Sequence, residues 1–202
     1  MMIDRYQAMT ESGHASGKSL PLEELHALEL PHMCVQVWVM TSNGNMLQVR
    51  RRPTAYWPGG WDLIAARAHV KADQNPLEAA MEQLRADLGW RVARIELTHF
   101  LVGGEPYPYY EEKLVGDRPK LHRVFCGNYS LLLPEMSSGE LSTAFTLNQD
   151  AIGEVGFRRL EEFQYDAKTS AHLGEYAAHG LHPGLMVAAV EHLAQQKKEA
   201  SN

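Results

Sequence analysis

The stretch PLEAAMEQLRADLGW, residues 76–90, is the place to look first for a divalent-metal site. Pro76 and Gly89 are the expected start and stop residues of a helix. Side chains three and four residues apart share a helical face, and carboxylates at that spacing hold hard cations through oxygen. Here that face reads Gln83, Ala86 and Asp87: a neutral amide, a methyl and one carboxylate. Leu77, Met81, Leu84 and Leu88 supply the stripe that packs into a core. Further along, residues 105–120 place Tyr107, Tyr109, Tyr110, Glu111 and Glu112 close together. Such a loop can line the mouth of a site, its rings stacking on a flat partner. His172, His179, His182 and His192 lack the tight spacing of metal ligands and read as surface residues.

The elements that must carry these residues follow from periodicity and punctuation. Residues 1–20 read as an extended arm with a turn between Gly13 and Gly17, and 20–30 as a short helix. CVQVWVM (34–40) alternates with period two, so it is a strand. Asn43-Gly44 is a hairpin signal, and 46–51 is the returning strand. Residues 52–61 read as a loop, 62–66 as a short strand, and 66–75 as a second loop feeding the helix at 76–90. Strands are expected over 91–103, 121–133 and 154–160, with 105–120 as a loop. An amphipathic helix over 182–200 has Met186, Val190 and Leu193 on one stripe. Strands and helices intermix, which predicts an α/β or α+β class with a mixed sheet.

With 202 residues the chain is long enough for a full hydrophobic core, and 45% hydrophobic with 22% charged is ordinary for a globular protein. A net charge of -6 argues against a nucleic-acid surface, where phosphate contacts need Lys and Arg. Cys34 and Cys126 both fall in expected strands, as buried reduced thiols would in a reducing compartment. The first residues lack the apolar region of a secretory signal, and no apolar run approaches the roughly 18–20 residues that cross a bilayer. A cytoplasmic protein with no membrane or nucleic-acid partner is expected, and a homodimer is one assembly it allows.

The order strand, hairpin, strand, WPGGWDL, then AHVKADQNPLEAAMEQLRADLGW resembles the Nudix fold and its signature box. The box runs Gly, five residues, Glu, seven residues, then Arg-Glu-aliphatic-any-Glu-Glu-any-Gly-aliphatic. On this chain the closing Gly is Gly89, the final apolar residue Trp90 and the aliphatic position Leu84. The opening Gly position holds Ala68 and the first Glu position Gln74. The Arg-Glu pair reads Glu82-Gln83, and the Glu-Glu pair reads Ala86-Asp87. The flanks, GKSLPLEELHALELPHMCVQVWVM and GNMLQVRRRPTAYWPGGWD, are similar to Nudix proteins related to isopentenyl-diphosphate isomerase. The resemblance covers roughly residues 3–165. It implies a Nudix-type α/β/α sandwich, with an arm and short helix over 1–30, the Nudix domain over 31–165 and a helical extension over 166–202.

The resemblance also implies a chemistry. Nudix enzymes cleave a diphosphate linked to another group, with Mg²⁺ or Mn²⁺ neutralising the phosphate oxygens. Asp87 stands where the family's principal metal ligand stands, with Gln83 beside it. Among Arg50, Arg51 and Arg52, Arg51 and Arg52 are expected to hold substrate phosphate, a role that suits the guanidinium fork. Glu111, Glu112 and Glu154 are the candidates for a general base outside the box. The family's brace between the first box Glu and the box Arg has lost both members, and Glu82 is expected to pair with Lys71 or Arg67, or else with Arg85 on its own helix. The isomerase itself is not expected. Although His26, His32 and His69 fall near its histidines, Arg67 replaces its Cys and Arg118-Pro119-Lys120 replaces its paired-Glu region. Those histidines read as hydrogen-bonding residues near a sheet edge. Two functions follow. One is a hydrolase of a diphosphate-linked small molecule, such as a nucleoside diphosphate derivative, with weak or altered activity. The other is a non-catalytic Nudix domain that binds a phosphorylated ligand or a protein partner.

Overall fold

A computed structural model of the chain describes residues 3–52, 61–90, 97–100, 107–115, 118–135, 137–162 and 183–200; at 107–115, 118–122, 138, 141–142, 183–186 and 200 it describes the backbone alone. The N-terminal arm is a hairpin of β1 (Tyr6–Met9) and β2 (Ala15–Leu20), followed by the short helix α1 (Leu22–Ala27). β3 (His32–Thr41) and β4 (Asn45–Arg51) form the expected hairpin. Gly44 takes φ 87° and its N–H bonds to the Thr41 carbonyl at 2.8 Å, so the turn has three residues and uses glycine at its left-handed position. β5 (Trp61–Asp62) and β6 (Ile64–His69) come next, then α2 (Pro76–Leu88).

Helix α2 starts and stops as its sequence dictates. The Asn75 side chain accepts from the Leu77 N–H at 2.9 Å, Pro76 fills the first turn, and Gly89 closes it at φ 67°. Beyond it lie β7 (Leu97–Phe100), β8 (Tyr107–Val115), β9 (Arg118–Leu133), α3 (Ser138–Ala144), β10 (Ile152–Arg159) and α4 (Pro183–Ala200). β3 pairs in parallel with β9, from His32↔Val124 to Thr41↔Leu133, while its pairings with β4, β6 and β1 are antiparallel. The sheet is therefore mixed, and the arm joins it through Ala8↔His32.

Period-two alternation on β3 divides the interior. Val35, Val37 and Val39 pack with Leu84 and Leu88 of α2, while Trp38 and Met40 pack on the other face with Ala189, Val190 and Leu193 of α4. Helices on both faces make the α/β/α sandwich. Among the described residues no helix is long and apolar enough to cross a membrane.

Three expectations need correction. The loop placed at 66–75 begins later, because Arg67, Ala68 and His69 continue β6 against Gln36, Val35 and Cys34. Its alanines have weak strand propensity, but their small side chains let α2 approach the sheet. The loop placed at 105–120 is a β8–β9 hairpin running from Tyr107↔Cys126 to Val115↔Arg118. Pro108 is tolerated because β8 has β9 as its one strand neighbour among the described elements. Helix α3 lies between the strands expected over 121–133 and 154–160, where no element is assigned above, and Ser137 and Glu140 form its capping box.

Candidate functional site

His26 of α1, His32 at the start of β3 and His69 at the end of β6 converge. Their ring centroids are 5.0–5.3 Å apart. His32 Nε2 lies 3.4 Å from His26 Nε2 and 3.0 Å from His69 Nδ1. His32 Nδ1 is 3.1 Å from the Leu30 carbonyl, which can only accept, so this nitrogen carries the proton. In the neutral ring the lone pair is then on Nε2, aimed at two other imidazole nitrogens. One lone pair serves two such neighbours poorly as a hydrogen-bond acceptor.

The second assembly joins β4, β5, β6 and α2. Asp62 pairs with Val49 in the β4–β5 register, and Arg51, two residues further along β4, places its Nε 3.3 Å from Asp62 Oδ2. The same guanidinium reaches Asp87 Oδ2 at 3.6 Å and donates to the Ile64 carbonyl at 2.8 Å. Arg67 NH2 lies 3.4 Å from Asp62 Oδ1, which also accepts the Ile64 N–H at 2.9 Å. Gln83 donates to Asp87 Oδ1 at 2.9 Å. Asp87, Asp62 and Arg51 are 4%, 2% and 8% exposed, so this is an interior chain of alternating charge. Burial pushes the Asp87 carboxyl above its ordinary range, while Arg51 and the Gln83 hydrogen bond pull it back.

Between these assemblies lies a cleft of about 400 Å³ along β6 and α2, lined by Tyr6, Arg67, His69, Lys71, Gln74, Glu82, Gln83 and Ala86 among others. His69 belongs to both the cluster and the cleft. The arm completes the wall: Asp4 pairs with Lys71 at 3.0 Å, and Ala72 donates its N–H to the Arg5 carbonyl at 2.9 Å. The Asp4 carboxylate holds the Lys71 pKa above its ordinary value.

Two curated relatives match the chain. Nudix hydrolase 3 of Arabidopsis thaliana is 26% identical over 166 residues, covering 81% of this chain. The chain spans 20% of that protein's length. A Nudix hydrolase of Listeria innocua described as uncharacterised is 25% identical over 159 residues, covering 73% of this chain and 90% of that one. Both relatives are Nudix hydrolases, and the chain is similar to them over most of its own length. A crystal structure of a Deinococcus radiodurans protein shares the fold, with TM-score 0.54 and 16% identity over 89% of this chain and all of that one. No family model matches.

Helix α2 carries the positions that resemble the Nudix box, and they can be tested for Mg²⁺. Ala86 offers no ligand atom. Asp87 is buried with Arg51 on one oxygen and Gln83 on the other. A cation there would have to displace a guanidinium from a buried ion pair, so the box residues do not fit Mg²⁺. The histidines fit a different metal. At metal–nitrogen distances of about 2.0–2.1 Å, tetrahedral ligands lie about 3.3–3.4 Å apart, close to the spacing seen here. All three donor atoms fall within 4.8 Å of one another, the one such group found among the described residues. The Leu30 carbonyl on His32 Nδ1 is the outer-shell partner that orients a metal-binding imidazole. Three imidazoles suit a transition ion such as Zn²⁺ or Fe²⁺ better than the oxygen-seeking Mg²⁺.

The other sequence candidates scatter. Arg51 points inward to Asp62 and Asp87, not into open space. Arg52 is exposed and donates to Gln149 at 2.7 Å. Glu154 lies opposite Arg50 on the β10–β4 pairing, 3.6 Å from it and exposed. The side chains of Glu111 and Glu112 lie outside the described residues. Glu82 accepts from Gln74 at 2.7 Å and adds to the negative field on Lys71, whose salt bridge is with Asp4, while Arg67 pairs with Asp62. Sequence reasoning missed Asp62, Lys71 as a cleft residue, and Tyr6. Asp62 follows directly on PGGW, and a carboxylate beside that Pro/Gly-rich motif was the available signal.

Proposed function

We propose that this Nudix domain hydrolyses a diphosphate-linked small molecule, such as a nucleoside diphosphate derivative, with its metal on His26, His32 and His69 instead of on the box helix. The observation that carries the reading is the convergence of three ring nitrogens at the rim of a cleft that shares His69 with them. Arg67 and Lys71 bring positive charge to that cleft, and Gln74 and Gln83 bring neutral amides where the family has glutamates. A phosphate anion meets less repulsion there than beside a set of carboxylates. Lys71, its pKa raised by Asp4, stays cationic at neutral pH. Gln83 holds Asp87 in place while itself facing the cleft. A transition ion, when bound, supplies Lewis-acid polarisation of water or a phosphoryl oxygen. The reading places the protein in a reducing, cytoplasm-like compartment that keeps both cysteines as thiols.

The test is phosphate release from a panel of nucleoside diphosphate derivatives after chelation and reloading with Zn²⁺, Mn²⁺ or Mg²⁺. Turnover is expected to follow the transition metal, to vanish in His32→Ala, and to keep its metal preference in Asp87→Asn. Turnover that needs Mg²⁺ and disappears in Asp87→Asn refutes the reading. A second reading, a non-catalytic domain that binds a phosphorylated ligand, is favoured by the Arg51–Asp87 pair, which closes the family's metal position. It predicts no turnover with any metal, together with a thermal midpoint raised by the ligand.

A further inference from the structure

The chain has two cysteines, 92 positions apart in sequence, and the fold brings them onto paired positions. Cys34 of β3 and Cys126 of β9 face each other in the parallel ladder. Neighbouring strands lie about 4.8 Å apart, inside the roughly 4.4–6.8 Å Cα separation that a disulfide spans. The two sulfurs are 2.8 Å apart and both side chains are buried, Cys34 at 9% and Cys126 at 2% exposure. With Val124 they form a small cluster separate from the two main cores. Packing alone needs no thiol at either position; valine fills the third place of the same cluster, at 124.

We infer that Cys34 and Cys126 are an oxidisable pair that a peroxide closes to a disulfide across the β3–β9 ladder. Cys34, the more exposed of the two, takes oxygen first. Its sulfur–oxygen bond forms as the peroxide O–O bond breaks, giving the sulfenic acid and one water. The Cys126 sulfur then attacks the Cys34 sulfur. The sulfur–oxygen bond breaks, the hydroxyl leaves as a second water with the Cys126 proton, and the disulfide remains. One peroxide is reduced and two thiols are oxidised. The contact between the sulfurs makes the second step intramolecular, so it outruns further oxidation to the sulfinic acid. This inference is independent of which hydrolytic or binding role the cleft has.

The experiment treats the metal-stripped, folded chain of 202 residues with hydrogen peroxide, then quenches, denatures and alkylates it for mass measurement. The expected product is lighter by two hydrogen atoms, takes no alkylating reagent, and regains both alkylation sites after reduction. In Cys126→Ser, the Cys34 sulfenic acid persists and is trapped by a dimedone probe. In Cys34→Ser, Cys126 stays reduced. A wild-type chain that keeps both thiols under peroxide overturns the inference, as does one whose Cys34 or Cys126 peptide carries added oxygen in place of the bond, oxygen on the nine methionines being assigned separately by peptide mapping. Wild-type mass is the primary readout, so a poorly folding variant does not shelter the inference.

Discussion

Replacing Arg51 with glutamine tests whether the guanidinium is an interior partner of Asp87 or a surface group. Arg51 makes three contacts from a nearly buried position: Asp62 at 3.3 Å, Asp87 at 3.6 Å and the Ile64 carbonyl at 2.8 Å. Removing it leaves two buried carboxylates. Asp62 keeps Arg67 and the Ile64 N–H, and Asp87 keeps only Gln83 among the bonds described above. Breaking a buried pair from one side costs about 3–5 kcal/mol, whereas an exposed pair is worth about 0–1 kcal/mol. For a chain of this length about 3–5 kcal/mol lowers the thermal midpoint by roughly 6–20 °C. The deficit also depends on pH. Burial raises the folded-state pKa of Asp87, and Arg51 opposes that rise, so the variant raises it further. A raised carboxyl pKa contributes stability that is fully present below the unfolded value near 3.8 and lost as pH rises through the folded value. The loss in Arg51→Gln is therefore larger at pH 7 than near pH 4, where a protonated Asp87 needs no cation. Urea unfolding at both pH values measures it, and adding Asp87→Asn restores part of it at pH 7. A deficit under about 1 kcal/mol, or one that does not change with pH, would show that Arg51 is not the buried counter-ion of Asp87.

Other outcomes follow from the same geometry. Restoring the box carboxylates with Gln83→Glu and Ala86→Glu is expected to create Mg²⁺ binding, read by calorimetry, only when Arg51 is also replaced; binding with Arg51 intact would contradict the account of that position. His192 of α4 lies 3.0 Å from the Ser130 hydroxyl and stacks on Phe100, and burial lowers its pKa. Its contribution to stability is therefore present above the unfolded value near 6.5 and lost as pH falls through the lowered one. His192→Phe should cost about 1 kcal/mol at pH 8 and flatten that acid limb, seen in urea midpoints against pH. Gly89→Ala puts a methyl carbon 2.7 Å from Thr146 Cβ and 2.8 Å from its carbonyl oxygen, at φ 67°. Left-handed strain and overpacking together cost roughly 2–3 kcal/mol, checked by chemical denaturation.

The parts of this fold legible in the sequence are those set by local chemistry. Asn75, Pro76 and Gly89 bound their helix, Asn43-Gly44 makes its turn, and the valines of β3 declare their face. Strand β6 was only half legible because Ala65, Ala66 and Ala68 are chosen for closeness to α2, not for strand propensity. The polarity of the site was illegible for a different reason. Three consecutive arginines look alike in sequence, and it is the alternation of β4, with Leu47 and Val49 also inward, that puts Arg51 on the side of Asp62 and Asp87. Likewise His26, His32 and His69 stand on three elements, and sequence separation says nothing of their 3.0 and 3.4 Å approaches. The swap of Lys71 to Asp4 required the arm to fold back on the cleft, which no local rule foretells.

Strand β3 serves two chemically separate neighbourhoods. Its odd positions, Val35, Val37 and Val39, are held by the aliphatic layer under α2. Its early even positions, His32, Cys34 and Gln36, carry imidazole, thiol and amide, and only from Trp38 onward does that side return to packing. A substitution at 32, 34 or 36 thus changes reactivity without reopening the aliphatic layer, and one at 35 or 37 does the reverse. The imidazole and thiol side and the aliphatic side of one strand are thus open to separate change, each without repacking the other.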